Sequence, residues 1–186
     1  MKDILDMNNL KAQIIFADQT QEEESFHQSD LVRLFPYGLS VNGDASRPFL
    51  LLKDEAHQYT LPVAVTPIEA GVSLAQTNRT ILASSPHRFT EMLMQSMGVE
   101  IMQAVFVEIK GSSQFMRLYL SGNPKVSSMK LRADEAMSLC LYLKTPIFAT
   151  KSFIGKSRVM TAEMEVPGQK FPLIGNIERG NGGYLN

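Results

Sequence analysis

From Leu31 onward the apolar residues fall in short runs, then in helical stripes, then in short runs again. LVRLFPYGLSV, PFLLLK and YTLPVAV read as three strands, joined by VNGDASR, with its Asn-Gly pair, and by KDEAHQ. Pro36 and Pro62 cannot donate to a ladder, so each has to sit at an edge, an end or a bulge. The period then lengthens. TPIEAGVSLAQTN offers Thr66 as N-cap, Pro67 at the first helical position and Glu69 three residues after the cap, with Ile68, Val72 and Ala75 on one face. SPHRFTEMLMQSMG repeats the arrangement, with Ser85 as cap, Pro86 next and Gly98 as the stop. Its apolar stripe is Phe89, Met92, Leu93 and Met97, while His87, Arg88, Glu91 and Gln95 lie on the other side.

VEIMQAVFVEIK, FMRLYL and KVSSMKL predict three more strands, with GSSQ and SGNP as hairpin-length joints. Asp134 then caps a third helix that ends before Pro146 and is apolar nearly all round: Ala136, Met137, Leu139, Cys140, Leu141, Leu143. Such a helix needs cover on more than one side, from the sheet and another helix or from a subunit interface. PIFAT reads as a short final strand and KSFIGKSRVM as a terminal helical turn. Strands and helices come in blocks, which predicts an α+β fold: a mixed or antiparallel sheet of about six to seven strands packed with three main helices. The acidic run DQTQEEESFHQSD makes residues 1–30 an exposed arm, residues 31–158 form the domain, and residues 159–186, rich in glycine and proline, form an irregular tail. AVTPIEAGVSL and KLRADEAMSL echo each other, through duplication or through shared capping chemistry.

At 186 residues the chain has room for one domain with a proper core. With 44% hydrophobic and 20% charged residues it has the composition of an ordinary soluble globular protein. No apolar run approaches the ~18–20 residues of a membrane span, and Asp3 and Asp6 interrupt what would otherwise be a leader. One cysteine, Cys140, excludes internal disulfides and a cysteine-rich zinc site. The expectation is a cytoplasmic protein without a membrane partner. Net charge is −1, yet residues 125–158 hold seven bases against two acids. That segment can attract phosphate backbones, or face the acidic N-terminal half of the same molecule or of a partner subunit. Asp54-Glu55-Ala56-His57 spells a helicase signature and Gly155-Lys156-Ser157 the end of a phosphate loop. The first sits where a polar turn is expected, and the second lacks the glycine five residues upstream, where Thr150 stands.

Three stretches together resemble a known family. They are LVRLFPYGLSV through PFLLLKDEAHQYTLPVAVTPIEA, then SPHRFTEMLMQSMGVEIMQAVFVEIKGSSQFMRLYL, then MKLRADEAMSLCLYLKTPIF. In order and length, over roughly residues 31–154, they are similar to the bifunctional nuclease (BFN) domain family. The resemblance implies metal-assisted cleavage of DNA and RNA, an α+β fold and self-association. The family's last helix opens like I-D-A-R-P-S-D-A; here it reads Met129-Lys130-Leu131-Arg132-Ala133-Asp134-Glu135-Ala136, so Arg132 is kept, one acid is Lys130 and the other is Glu135. Its R-P-x-T-H-D becomes Ala83-Ser84-Ser85-Pro86-His87-Arg88, which keeps His87 alone.

Phosphodiester hydrolysis of this kind needs carboxylates for a divalent ion, Mg or Mn, and a cation for the phosphate oxygens. The candidates are Glu69, His87, Arg132 and Glu135 for catalysis; Arg132, Lys130 and Arg88 for phosphate; and Glu69, Asp134 and Glu135 for metal. Glu69, His87, Arg132, Asp134 and Glu135 stand at helix beginnings, where backbone N–H groups also favour anions. Each has an ordinary role as well. Glu69 suits a capping box, Asp134 an N-cap, and Glu135 the positive end of a helix dipole. His87 can pair with Glu91, and Arg132 with Asp134 or Glu69; Cys140 suits the core. Two functions follow: a metal-assisted nuclease, or a non-catalytic homo-oligomeric or scaffold protein that keeps the fold. Convergence of the helix starts on one pocket favours the first, and dispersal the second.

Overall fold

Each half of the described chain is a three-strand meander that ends in a helix. The computed structural model describes residues 30–40, 47–77, 85–164 and 173–174. The first meander is β1 (Leu31–Ser40), β2 (Phe49–Lys53) and β3 (Thr60–Ala64), followed by α1 (Pro67–Thr77). After α2 (His87–Ser96) the second is β4 (Glu100–Lys110), β5 (Ser113–Ser121) and β6 (Ser128–Arg132), followed by α3 (Ala133–Tyr142). β7 (Ile147–Thr150), α4 (Lys151–Met164) and the two-residue β8 (Leu173–Ile174) complete the elements.

The sheet runs β3-β2-β1-β7-β4-β5-β6, with β8 paired to β1 off this path. β7 therefore sits between the meanders, antiparallel to β1 and parallel to β4, and all other pairs are antiparallel. The sheet is mixed and the class is α+β. β1 and β4 consequently run in opposite directions, as a two-fold relation between the meanders requires. The two copies of the sequence echo open α1 and α3 at equivalent places, and these helices pack against each other. Ala70 and Ala136, which follow the glutamate in each copy, are both buried.

One apolar core joins the layers. Leu34, Leu50, Leu52, Leu61 and Val63 come from the first meander, Phe106 and Met116 from the second, Met137 and Cys140 from α3, and Phe153 and Ile154 from α4. The prolines sit where their missing donors cost least. Pro36 borders the register shift between β1 and β2, and Pro62 lies on the edge strand β3. The outer edge of β3 is not left bare: the buried Gln114 side chain, on β5, accepts from the Ala64 N–H at 3.0 Å and donates to the Pro62 carbonyl at 2.8 Å. A side-chain amide thus stands in for a ladder strand where β3 and β5 approach each other.

Among the described residues the three main helices expected are joined by a fourth. The terminal turn is a 14-residue helix: Thr150 caps it through a bond from the Phe153 N–H at 3.0 Å, and Phe153, Ile154, Ser157 and Met160 form its buried face. It runs past residue 158, and β8 adds a short strand beyond it, so part of the expected irregular tail is ordered structure. Of the expected arm at 1–30, residues 1–29 fall outside the described residues, as does the Asn-Gly turn. Among the described residues no helix is long and apolar enough to cross a membrane.

Candidate functional site

The third helix, read from sequence as apolar nearly all round, carries one polar stripe. Asp134, Ser138 and Tyr142 are spaced i, i+4, i+8 and so share a face. Each is gripped by a residue from another element.

Ser138, 1% exposed, holds two of them. Thr66 caps α1 as expected, its hydroxyl oxygen accepting from the Glu69 N–H at 3.1 Å. The Glu69 carboxylate, however, crosses to α3 and accepts from the Ser138 N–H at 2.7 Å, so the reciprocal half of the capping box is spent on a helix–helix bond. His87, at the start of α2, places Nε2 2.8 Å from the Ser138 hydroxyl. Burial pushes the His87 imidazole below its ordinary pKa, against the smaller opposing pull of Glu69.

Tyr142 completes the contact with α2. Its ring centroid lies 5.8 Å from that of His87, and its hydroxyl donates to Glu91 Oε2 at 2.7 Å. That bond is the main reason its pKa is raised. His87 and Glu91 therefore belong to the side of α2 that faces the domain. The apolar stripe points the other way: Phe89 is 74% exposed, Met92, Leu93 and Met97 are exposed too, and α2 buries no residue. The amphipathic pattern was legible, but its direction is the reverse of the usual one. Gly98, in the left-handed region at φ 65°, ends α2 as expected.

At the start of α3 the expected N-cap is corrected. Arg132, in extended conformation, occupies the cap position without a side-chain cap bond, and Asp134 is the second helical residue. Its carboxylate takes Arg132 Nε at 2.9 Å and Nη2 at 2.5 Å, together with Arg47 Nη2 at 2.5 Å. The Asp134 side chain is only 5% exposed, against 24% for Arg47 and 43% for Arg132. Arg47 is absent from the sequence-level candidates. Nothing near it in the chain marks it, because its partner is 87 residues away.

The remaining candidates scatter. Glu135 and Arg88 are exposed. Lys130 pairs with Glu108 at 2.5 Å and by that bond lowers the Glu108 pKa. Among the described residues no three His, Cys, Asp or Glu side chains form a group that could hold a metal ion. Asp134 gives both oxygens to arginines, and Glu69 gives Oε1 to Ser138. The two look-alike motifs are structural: Asp54 accepts from the Tyr59 N–H in the β2–β3 turn, and Gly155-Lys156-Ser157 lies inside α4.

The structure thus joins Glu69 to His87 through Ser138, and sets Asp134, with Arg132 and Arg47 on its carboxylate, one helical turn away on the same face of α3. No protein-family model matches this chain, and no curated protein does.

Proposed function

We propose that the chain is a phosphodiesterase acting on DNA or RNA, with its working face along the polar stripe of α3. The observation that supports this reading is the meeting of Glu69 and His87 at Ser138, a single turn from the Arg132–Arg47 pair. Two guanidinium groups share the Asp134 carboxylate at a helix start, where the backbone also favours anions, with the exposed Glu135 close enough to act on Arg132. Arg132, nearly half exposed, can offer its fork to a phosphate. His87, held neutral at neutral pH by burial, can accept a proton from the attacking water or nucleophile.

A divalent ion, Mg or Mn, would supply Lewis acidity at the phosphate. Glu69, Asp134 and Glu135 do not fit it as a three-carboxylate cage, since two of them are committed to partners and the third is exposed. The steps open to the chain itself are phosphate grip and proton transfer. A cytoplasmic setting is part of this reading.

The test is incubation of the full chain with DNA and RNA, with and without Mg²⁺ or Mn²⁺, beside Arg132→Ala and His87→Gln. Cleavage is expected to fall about 10²-fold or more in each variant. Equal cleavage in all three proteins sinks the proposal.

A second reading, a homo-oligomeric or scaffold protein that keeps the fold, is favoured by the outward apolar face of α2. Sedimentation at rising concentration tests it, with Phe89→Ser/Met92→Ser as the dissociating variant. A monomer at every concentration removes the assembly part of this reading.

A further inference from the structure

The opposite end of α3 carries a second feature, unrelated to the polar stripe. A cavity of about 280 Å³ opens between β1, the end of α3 and the start of β7, with Arg33, Phe35, Pro36, Lys144, Thr145 and Pro146 in its wall. The volume lies near the lower end of the range of small-molecule sites, about 300–1,000 Å³.

Three properties of that wall point to one kind of occupant. The first is charge. Arg33, Lys144 and Cys140 are the ionisable side chains that line it, and none is a carboxylate. Burial holds the Cys140 thiol neutral by pushing its pKa up to about 12, so the lining carries two positive charges. Among the described residues neither cation is paired with an acid; Arg33 instead lies over the Phe35 ring, 5.2 Å from its centroid.

The second is backbone conformation. α3 ends in a Schellman arrangement, with the Lys144 N–H bonded to the Leu141 carbonyl at 3.2 Å and the Thr145 N–H to the Cys140 carbonyl at 2.9 Å. The left-handed residue of this motif is usually glycine, but here it is Lys144, at φ 57°. A lysine near a helix C-terminus does gain from the dipole. The two carbonyls named are already satisfied by backbone donors, so the ammonium is not needed as their partner. A strained position thus places a cation at the rim.

The third is the rest of the wall, which is mostly apolar, with Phe35, Pro36 and Pro146 in it; the Thr145 hydroxyl is buried away from the open space.

We propose that this pocket binds a small organic carboxylate, with its head group between Arg33 and Lys144 and its hydrocarbon body against Phe35, Pro36 and Pro146. A guanidinium fork and an ammonium suit a carboxylate, and the mostly apolar wall suits a short aliphatic or aromatic body rather than a bare ion. The site is independent of the phosphodiesterase reading and stands or falls separately.

The experiment is calorimetric or NMR titration of the full chain with hexanoate and benzoate, with their neutral amides, and with inorganic phosphate. The carboxylates are expected to bind saturably, the amides and phosphate at least about tenfold more weakly. Arg33→Gln should weaken carboxylate binding about tenfold. Lys144→Gly is the decisive variant, because relief of the left-handed strain should raise the melting temperature by a few degrees while carboxylate binding drops about tenfold. Amides or phosphate binding as tightly as carboxylates, unchanged binding in the more stable Lys144→Gly protein, or no saturable binding of either carboxylate overturns the proposal.

Discussion

The Glu69 carboxylate on α1 accepts a hydrogen bond from the Ser138 backbone N–H on α3 at 2.7 Å, tying together the two helices that close the meanders. Hydrogen bonds to a charged group contribute about 1.5–3 kcal/mol. Glu69→Ala should lower stability by about that amount in urea unfolding, and Glu69→Gln, which keeps an acceptor, by clearly less. Equal losses in the two variants would show that packing around the stem, not the carboxylate, does the tying.

His87 gives the fold a pH dependence whose sign follows from its depressed pKa. The unfolded chain, near 6.5, binds the proton more readily than the folded one. The contribution to stability is therefore full above about pH 6.5 and is lost as pH falls through that value toward the folded pKa. The urea midpoint should decline between pH 7.5 and pH 5.5, and His87→Gln should flatten that part of the curve. An unchanged slope in the variant would place the effect elsewhere.

Asp134 is the hub of two arginines, and its removal should act in opposite directions on stability and on anion binding. Asp134→Asn leaves the Arg47 and Arg132 guanidinium groups without a counter-charge. Because both reach solvent, the loss should stay near 1–3 kcal/mol rather than that of a fully buried pair. Freed of their carboxylate, the same groups should raise affinity for single-stranded nucleic acid at low salt and steepen its salt dependence. Fluorescence anisotropy across a salt series reads both, and weaker binding would remove the arginine pair from the phosphate-gripping role.

Gln114 is irreplaceable by an apolar residue of similar size. Gln114→Leu orphans the Ala64 N–H at the sheet edge, at a cost of about 1–3 kcal/mol for a group left buried without a partner, while the Pro62 carbonyl keeps the Ser157 hydroxyl as donor at 3.2 Å. Thermal unfolding should report the loss, whereas Phe89→Ser on the outer face of α2 should change the stability of the single chain by no more than about 0.5 kcal/mol.

Much of the architecture was legible before any coordinates. Short apolar runs and turn residues marked the strands, Pro36 and Pro62 announced an edge, an end or a bulge, and Thr66 and Gly98 marked a helix start and a helix stop. The echo at Glu69-Ala70 and Glu135-Ala136 foretold two helices in equivalent places. Less visible was α4, where Gly155 and scattered charges hid a buried face that only a nearby core reveals. The polar stripe of α3 was also present in the spacing of Asp134, Ser138 and Tyr142, masked by the apolar residues between them.

Patterning along the chain determined the elements, because backbone sterics, capping and the periodicity of burial are local and each leaves its mark within a few residues. Which face of α2 turns inward was decided only by the tertiary structure. Its apolar stripe advertises one side, but His87 and Glu91 find Ser138 and Tyr142, each 51 residues away, and those bonds aim the helix the other way. The same holds for Asp134, taken from a cap to a hub by Arg47. A hydrogen bond between distant residues depends on where the fold carries both ends, and no window of sequence contains both.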